Sequence, residues 1–400
     1  MAEANTFVAG SHVTLERLMR ILEENDKDYK LGSDPAKLAK APTEKCISGG
    51  RGFASKIFNV TLEAETGTYS VLIKYPSGHH FAAKVNEKNA ETGEMSSEQI
   101  DAKIKAQEEM LYGVHNREVA FYEFVKEHVP DDLLLVKYIY GERSDFGQGK
   151  NGFLLMEDLS PKMMTQFKLG DGLEREQVYN ILDNLAILQA RSVVFQDDLV
   201  WRFPHIPATL NALHSYVVGC CEALEKRNLS WFPLEISEKC KANAVPAVLA
   251  EILSPDKAYG DLGAVLVHGD LWPNNMIFQE KNGKPDLLAI VDWQVTHAGN
   301  YTADIAAVLA VSMEPEERRK FELNLLGHYV DGINYYLAKF GSEKRLNYAK
   351  VRESYRNSLK HAILQMIMTV ATNPQSDVPE VNGEGPLTKR LRCLVEDIFP

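Results

Sequence analysis

The sequence predicts an α+β protein of two lobes, with an antiparallel sheet lobe first and a mainly helical lobe after it. Three observations carry this prediction. Short β-like runs separated by turns lie between Lys45 and Met156. Long segments with helical spacing dominate the later part of the chain. A length of 400 residues also exceeds one ordinary core. The boundary falls at Glu157-Asp158, so the expected domains are residues 1–157 and 158–400.

Composition excludes several classes of protein. The 44 basic and 56 acidic residues give a net charge of −12, which argues against a nucleic-acid partner. A nucleotide is still possible, since one local cluster of charges with a metal is enough. Five cysteines without a C-x-x-C pair favour a reducing compartment over a disulfide or zinc framework. The chain shows neither a signal-peptide pattern nor an apolar run of about 20 residues. We therefore expect a cytoplasmic protein without a membrane span.

The predicted elements follow from periodicity and turn residues. In the first lobe we expect a helix at 13–24, strands in KIFNVTLEAE, TYSVLIKYP and HHFAAKV, a long helix at 98–128, and strands at 133–139 and 152–156. In the second lobe we expect helices at 174–196, 206–227, 236–253, 315–340 and 345–373, a last short helix near the C-terminus, and one β-hairpin with Asn282-Gly283 as its turn.

Residues 265–277, LVHGDLWPNNMIF, place three polar side chains in an apolar run. The order of His268, Asp270 and Asn275 is that of the catalytic loop of protein kinases. In that loop the aspartate orients the hydroxyl of the phosphate acceptor, and the asparagine binds Mg²⁺ on the nucleotide. The motif alone fits a polar turn between two strands equally well. Asp270 as the catalytic residue and Asn275 as a metal ligand therefore depend on other elements.

A second carboxylate follows a buried strand. The apolar run from Leu287 to Val291 ends at Asp292, which lies 17 positions after Asn275. Mg²⁺ in nucleotide sites is held by one or two carboxylates together with phosphate oxygens. We therefore predict Asn275 and Asp292 as metal ligands, and ATP with Mg²⁺ as the cofactors.

The run FAAK is interpreted as a strand on which Ala82 and Lys84 share one face. Ala82 would leave room for an adenine ring, and the Lys84 ammonium would reach phosphate. Alone, Lys84 fits an exposed surface lysine better. Glu118 counts against that alternative, because it lies on the apolar face of the helix predicted at 98–128 and a buried glutamate needs a partner. We predict that this partner is Lys84.

Two further stretches are candidates for nucleotide contacts. In FLLMEDLS, residues 153–160, a strand ends where the lobes meet. There Met156 would lie behind adenine, with the Glu157 carbonyl and the Leu159 amide at its edge, although an ordinary linker fits equally well. In ISGGRGFASK, residues 47–56, Gly50 and Gly52 would let backbone amides approach phosphate, but the full G-x-G-x-x-G is missing.

These elements occur in the order that a kinase requires. HGDLWPNN followed by IVDWQ resembles the aminoglycoside phosphotransferase and choline kinase branch of the protein-kinase-like superfamily. REVAFYEFV, FLLMEDLS and VDWQVTHAGNYTADIA narrow the resemblance to the CHK kinase-like, or ecdysteroid kinase-like, family. The resemblance spans residues 45–340. It implies a protein-kinase-like fold and transfer of phosphate from ATP, with Mg²⁺, to a small-molecule hydroxyl, which belongs to a steroid in some members.

The resemblance also assigns supporting roles. Asp304 would start a helix and brace the catalytic loop, and His268 would pack beneath that loop. Gly269 stands where protein kinases carry an arginine that can hold a phosphorylated loop, and Asp304 follows Asp292 by only 12 positions. Both features favour a small-molecule acceptor over a peptide. Gln189 stands where relatives often carry a histidine, which leaves the role of that position open.

The acceptor pocket is expected in the insertion between Ser160 and Gly263. Its aromatic residues favour a sterol-like or xenobiotic alcohol, although each of them also fits the helical core. A choline- or ethanolamine-type kinase, a catalytically inactive ATP-binding module and a protein kinase stay open as alternatives, and so does the oligomeric state. The aromatic residues are Trp201, Phe203, His205, Tyr216, Trp231, Phe232 and Tyr259.

Overall fold

The computed structural model describes residues 5–48, 55–78, 82, 85–86, 95–129, 133–164, 169–204, 207–253, 262–374, 377 and 384–400. The chain divides into two compact units. The first unit comprises Met1–Phe124 and Val136–Pro161, and the second comprises Val125–Leu135 and Lys162–Pro400. The predicted α+β class is confirmed, because the first unit holds an antiparallel sheet and the second is mainly helical.

The sheet of the first unit has five antiparallel strands. They are β1 (Thr43–Cys46), β2 (Ser55–Ala64), β3 (Gly67–Pro76), β4 (Tyr138–Glu142) and β5 (Phe153–Glu157). Their order across the sheet is β1-β2-β3-β5-β4. In β3, consecutive apolar residues run from Val71 to Ile73, which is the pattern of a strand covered on both faces.

One face of this sheet packs against the segment that precedes it. Helix α1 (Leu15–Asn25) begins after Thr14, whose hydroxyl accepts a hydrogen bond from the Arg17 N–H at 3.3 Å. Because alternate residues of a strand share a face, Val71 and Ile73 meet α1 while Leu72 and Lys74 point to the opposite face. The buried cluster includes Leu15, Leu18, Met19, Leu22, Val60, Leu62, Val71 and Ile73.

Helix α2 (Ser97–His128) confirms the long helix predicted at 98–128. Its middle carries the buried stripe that includes Leu111, Glu118 and Phe121. Its residues from Val125 onward belong to the second unit.

The strand expected at HHFAAKV is wrong at the residues that the structure describes there. Ala82, Val85 and Asn86 are helical, and the Ala82 N–H donates to the Gly78 carbonyl at 3.0 Å. Two physical reasons explain the difference. Pro76 ends β3, because proline has no N–H for a sheet. The alanines that follow are strong helix formers.

The helices of the second unit lie close to their predicted positions, with one helix divided. The stretch predicted at 236–253 forms two helices, because Pro246 begins the second of them and lacks the N–H that a continuous helix needs. No helix in the described ranges has the length and low charge that a bilayer crossing requires. The helices are α3 (Arg175–Val194), α4 (Gln196–Arg202), α5 (Pro207–Glu225), α6 (Leu234–Asn243), α7 (Pro246–Leu253), α8 (Ala303–Ser312), α9 (Pro315–Lys339), α10 (Tyr348–Thr372) and α11 (Pro386–Ile398).

Two short antiparallel strand pairs carry the polar motif. Strands β6 (Val265–Val267) and β9 (His297–Gly299) form one pair, and β7 (Met276–Lys281) and β8 (Lys284–Ile290) form the other. The predicted turn between β7 and β8 is confirmed. Asn282 and Gly283 have φ values of 53° and 75°, the left-handed conformations that such a two-residue turn needs.

Candidate active site

The loop after β6 is held in place by one buried carboxylate. Asp304, in the first turn of α8, accepts hydrogen bonds from the His268 N–H at 2.7 Å and the Gly269 N–H at 3.0 Å. The expected brace by Asp304 is therefore confirmed. Gly269 has a φ of +84°, and a Cβ there would lie 2.9 Å from the Val295 carbonyl oxygen. A side chain at position 269 would strain the loop, which accounts for the glycine.

The His268 side chain packs beneath the catalytic loop. It is fully buried, and its ring packs against Trp293 with centroids 4.4 Å apart. Its Nε2 donates to the Val291 carbonyl at 3.0 Å, and its Nδ1 accepts from the Asp270 N–H at 3.2 Å. Both ring nitrogens are thus engaged, and this pattern requires the neutral tautomer. The geometry supports the predicted packing role and leaves Asp270 as the group that can accept a proton.

Asp270 is a carboxyl group in a strongly desolvated position. Its pKa is raised to about 6, first by burial and next by the charge of Asp292, while hydrogen bonds from the Asn275 and Trp272 side chains oppose the rise. Asn275 Nδ2 donates to the Asp270 carbonyl at 2.8 Å and to Asp270 Oδ2 at 3.1 Å. The side chain of Asn275 therefore fixes the orientation of the carboxylate.

The β7–β8 hairpin brings Asn275 and Asp292 to the same end. Asn275 precedes β7 and Asp292 follows β8, and the Val291 N–H donates to the Asn275 carbonyl at 2.9 Å. With its Nδ2 committed to Asp270, Asn275 has its Oδ1 left to bind a cation. Asp292 has a φ of +66°, an unusual backbone conformation for a residue with a side chain, as often found at functional sites. An amide oxygen and a carboxylate are ligands that Mg²⁺ accepts.

Among the described residues, Lys74 forms an ion pair with Glu118. Its Nζ lies 2.6 Å from Glu118 Oε2, and the two side chains are only 5% and 1% exposed. Lys74 lies on β3 opposite Leu154 of β5, on the face that points away from α1. The predicted pairing of Glu118 with Lys84 lies outside the described residues and stays a prediction. The contact of Glu118 with Lys74 was not predicted. The sequence VLIKYP could have indicated a buried lysine. A strand with consecutive apolar residues is covered on both faces, and a lysine within such a strand needs an acidic partner.

The other residues of the first unit that were predicted to contact the nucleotide divide into two groups. Lys84, Gly50 and Gly52 lie outside the described residues. Ala82 lies in a helical turn, so the argument that it shares a strand face with Lys84 is wrong.

The stretch predicted to contact adenine ends β5. Met156 and Leu159 are buried, and the Glu157 N–H donates to the Lys137 carbonyl at 3.0 Å. Asp158 accepts hydrogen bonds from Asn59 at 2.6 Å and Ser70 at 2.8 Å. These contacts hold residues 156–159 against their own sheet, so their backbone is well ordered for a contact with a ligand.

The insertion that was expected to shape the acceptor pocket contains both buried and exposed aromatic residues. Phe203 and Phe232 are buried in the core, whereas Trp201 is 79% exposed. His205 and Tyr259 lie outside the described residues. Gln189 is fully buried on α3, where its Oε1 accepts a hydrogen bond from the Tyr329 hydroxyl at 2.5 Å. Position 189 therefore has a packing role in this chain.

Asp304 gives a prediction for stability against pH. Its pKa is raised from 3.8 to about 6, mainly by burial and in part by the charge of Asp270, while the His268 and Gly269 N–H groups oppose the rise. Between these two values the folded state holds the proton more tightly than the unfolded state, so raising the pH through this window lowers stability. Relative to Asp304→Asn, the wild type should lose roughly 2 kcal/mol between pH 4 and pH 6.5. Urea unfolding of both proteins measures this difference, and a difference that does not vary with pH would contradict it.

Comparison with known proteins identifies the family. Residues 3–400 match the model of the DUF1679 family, which carries the description "Uncharacterized oxidoreductase dhs-27". The chain belongs to this family. DUF1679 is the ecdysteroid kinase-like family, so the resemblance drawn from HGDLWPNN and IVDWQ is confirmed.

Two relatives come from Caenorhabditis elegans. "Uncharacterized oxidoreductase dhs-27" is 25% identical over 329 residues, which are 80% of this chain and 38% of that protein. "Uncharacterized kinase-like protein D1044.1" is 24% identical over 254 residues, which are 62% of this chain and 63% of that protein. The chain of this DUF1679 member thus spans less than two thirds of either relative.

Solved structures with a similar fold include two phosphotransferases. One is the GDP and kanamycin complex of APH(2")-IIia, with 12% identity, a TM-score of 0.45, and coverage of 95% of this chain and 97% of that chain. The other is the spectinomycin phosphotransferase APH(9)-Ia with ADP and spectinomycin, with 13% identity, a TM-score of 0.41, and coverage of 96% and 94%. A likeness at this level does not bear on the function of the DUF1679 chain.

Proposed function

We propose that the protein is an ATP- and Mg²⁺-dependent phosphotransferase that acts on the hydroxyl of a small molecule. The observation that carries the proposal is the carboxylate of Asp270, held by Asn275 on a loop that Asp304 braces. This arrangement fits phosphoryl transfer, in which catalysis consists mainly of positioning and electrostatic stabilisation.

In the proposed reaction the acceptor hydroxyl donates its proton toward Asp270. The hydroxyl oxygen forms a bond to the γ-phosphorus of ATP while the bond to the β-phosphate oxygen breaks, and ADP leaves. Lys74, held by Glu118, would bind phosphate oxygens, because a buried ammonium fixed by a carboxylate presents its remaining N–H groups in a defined direction. The backbone of Glu157 and Leu159 would recognise adenine.

Mg²⁺ fits the chemistry of the residues present. Asn275 supplies an amide oxygen and Asp292 a carboxylate, the hard oxygen ligands that Mg²⁺ prefers. The charge of Asp292 already raises the pKa of Asp270, so a cation beside Asp292 would favour the ionised Asp270 that can accept a proton. When bound, the ion would neutralise charge that develops on the phosphates.

A small-molecule acceptor is favoured by the short connection after Asp292. Only β9 and a turn separate Asp292 from α8, so the chain lacks the length for a peptide-binding platform at that point. Within this class we favour a sterol-like or xenobiotic alcohol over choline. The name of the relative D1044.1, a kinase-like protein, is in line with phosphoryl transfer.

The name oxidoreductase of the other relative raises a second possibility. The sequence contains one G-x-G-x-x-G, Gly147 to Gly152, which in dinucleotide-binding proteins joins a strand to a helix. Here it joins β4 to the antiparallel β5. Gly152 is needed for packing, because a Cβ there would lie 2.2 Å from the Glu142 carbonyl oxygen. This loop therefore gives no support to an oxidoreductase.

Incubation with labelled ATP, Mg²⁺ and a panel of sterols, alkyl alcohols, choline and kanamycin tests the proposal. We expect label to appear on at least one alcohol. Chelation of Mg²⁺ by EDTA should reduce the rate at least roughly 100-fold, since a metal contributes several kcal/mol to such transition states. Thermal stabilisation by MgATP without any transfer would instead indicate an inactive ATP-binding module. Label on generic peptides would indicate a protein kinase.

A further inference from the structure

Helix α2 is attached to the end of β4 and to the loop after it by two consecutive side chains. Asn116 makes a pair of hydrogen bonds with the Ser144 backbone: its Nδ2 donates to the carbonyl at 2.9 Å, and its Oδ1 accepts from the N–H at 2.7 Å. His115 Nε2 donates to the Glu142 carbonyl at 2.9 Å, since a carbonyl oxygen can only accept. Three hydrogen bonds thus fix both the rotation of α2 and its position along its own axis.

The same loop is tied to the strands that carry Lys74. The Ser144 hydroxyl accepts a hydrogen bond from the Gly152 N–H at 2.7 Å. Gly152 directly precedes β5, and Leu154 on that strand is the partner of Lys74 on β3. A Cβ on Gly152 would lie only 2.6 Å from His115 Nε2, so the imidazole packs directly against the backbone there. The loop therefore links α2 to the part of the sheet in which Lys74 lies.

The residue that these contacts place is Glu118. It lies three positions after His115, so the two are neighbours on one face of α2, and they are 1% and 3% exposed. Its Oε2 is 2.6 Å from Lys74 Nζ. The pKa of His115 is lowered to about 4, first by burial and in part by the charge of Lys74, while the hydrogen bond to the Glu142 carbonyl opposes the fall. The ring is therefore neutral at pH 7 and adds no positive charge beside the ion pair.

We propose that Asn116 and His115 are positioning residues that hold Glu118 at Lys74 by fixing the register of α2 on the β4–β5 loop. One position along a helix is a rotation of about 100° and a rise of about 1.5 Å, so Glu118 meets Lys74 in a single register. This inference rests on the proposed function, in which Lys74 binds phosphate oxygens. An ammonium already fixed by a carboxylate loses less freedom when it binds phosphate, so loss of these attachments should weaken the binding of MgATP.

Asn116→Ala tests the inference against a matched control. The variant removes both hydrogen bonds to Ser144 from a partly exposed position. Asn334 of α9 makes the same two hydrogen bonds with the backbone of Leu346, at 3.0 and 2.8 Å, and is also partly exposed. Asn334→Ala should therefore lose a similar amount of stability. At the second position, His115→Leu removes the donor, whereas His115→Gln keeps an N–H donor on a side chain of similar length.

Asn116→Ala and His115→Leu should weaken MgATP binding roughly 10-fold, the lower end of the range for one charged hydrogen bond. Asn334→Ala and His115→Gln should bind MgATP like wild type in titration calorimetry. The KM for the acceptor should stay unchanged in all four variants. In Lys74→Met/Glu118→Met, Asn116→Ala should cause no further loss of affinity, because the ion pair through which it acts is already gone.

Wild-type affinity in Asn116→Ala would overturn the inference, and so would an equal loss in Asn334→Ala, which would reflect stability alone. A loss of the same size that persists in Lys74→Met/Glu118→Met would show that Asn116 acts by another route. If wild type does not bind MgATP, the proposed function fails and the inference fails with it. The first three results leave the proposed function intact, so the two kinds of failure are distinguishable.

Discussion

Replacement of Asp270 by alanine is expected to lower kcat for phosphoryl transfer roughly 10²- to 10⁴-fold, the scale typical of general acid–base residues. The carboxylate is the group on the braced loop that can take the acceptor proton, because both nitrogens of His268 are already engaged. Asp270→Asn should cause a loss of similar size, since the amide retains the shape but accepts no proton. Single-turnover transfer from labelled ATP measures both.

The Asp270 variants should lose activity but keep the fold. Asp270 accepts from Asn275 but does not itself brace the loop, which Asp304 does. Removal of this partly buried carboxyl, whose pKa is raised to about 6, should leave stability equal or slightly higher. Glu280→Gln, an exposed position at the turn end of β7, is the matched control for removal of one acidic group away from this loop. Wild-type kcat in Asp270→Asn would contradict the assignment of the proton acceptor.

The catalytic loop could be predicted from the sequence because its parts are local. Asp270, Asn275 and Asp292 lie within 23 positions and are joined by one hairpin. The turn residues of a hairpin and the alternation of its apolar and polar residues determine which positions pair across it. The proximity of Asn275 and Asp292 can therefore be predicted from the local sequence. The bracing role of Asp304 came only from the family resemblance.

Residues that meet across distant elements were harder to predict. The contact of Glu118 with Lys74 was not predicted, because whether a strand residue is buried depends on which elements cover each face of the sheet. The packing of α1 on the sheet, which puts Val71 and Ile73 on one face and Lys74 on the other, has no local signal in the sequence. Gln365 Nε2 donates to the Gly269 carbonyl at 3.3 Å from 96 positions away, and only the packing of α10 brings it to the loop.

The Lys74–Glu118 pair gives the second large expected effect. Lys74→Met removes the ammonium 2.6 Å from a buried carboxylate and should destabilise the protein by about 3–5 kcal/mol, the cost of breaking a buried ion pair from one side. Glu118→Met should cost a similar amount. The double variant should be closer to wild type than the sum of the two, because no charge then stays behind in the apolar surroundings. Urea unfolding of the four proteins completes the cycle.

Nucleotide binding separates the structural role of Lys74 from its proposed role at phosphate. The double variant restores packing but has no ammonium, so its affinity for MgATP should stay about 10- to 100-fold below wild type, as expected for one charged hydrogen bond of about 1.5–3 kcal/mol. Lys84→Met is the matched control, since Lys84 lies ten positions further along and was the lysine that the sequence favoured. Weaker MgATP binding in Lys84→Met, with wild-type affinity in the double variant, would move the phosphate contact back to Lys84. The opposite result would establish that the buried lysine of β3, fixed by the glutamate of α2, is the one that meets the nucleotide.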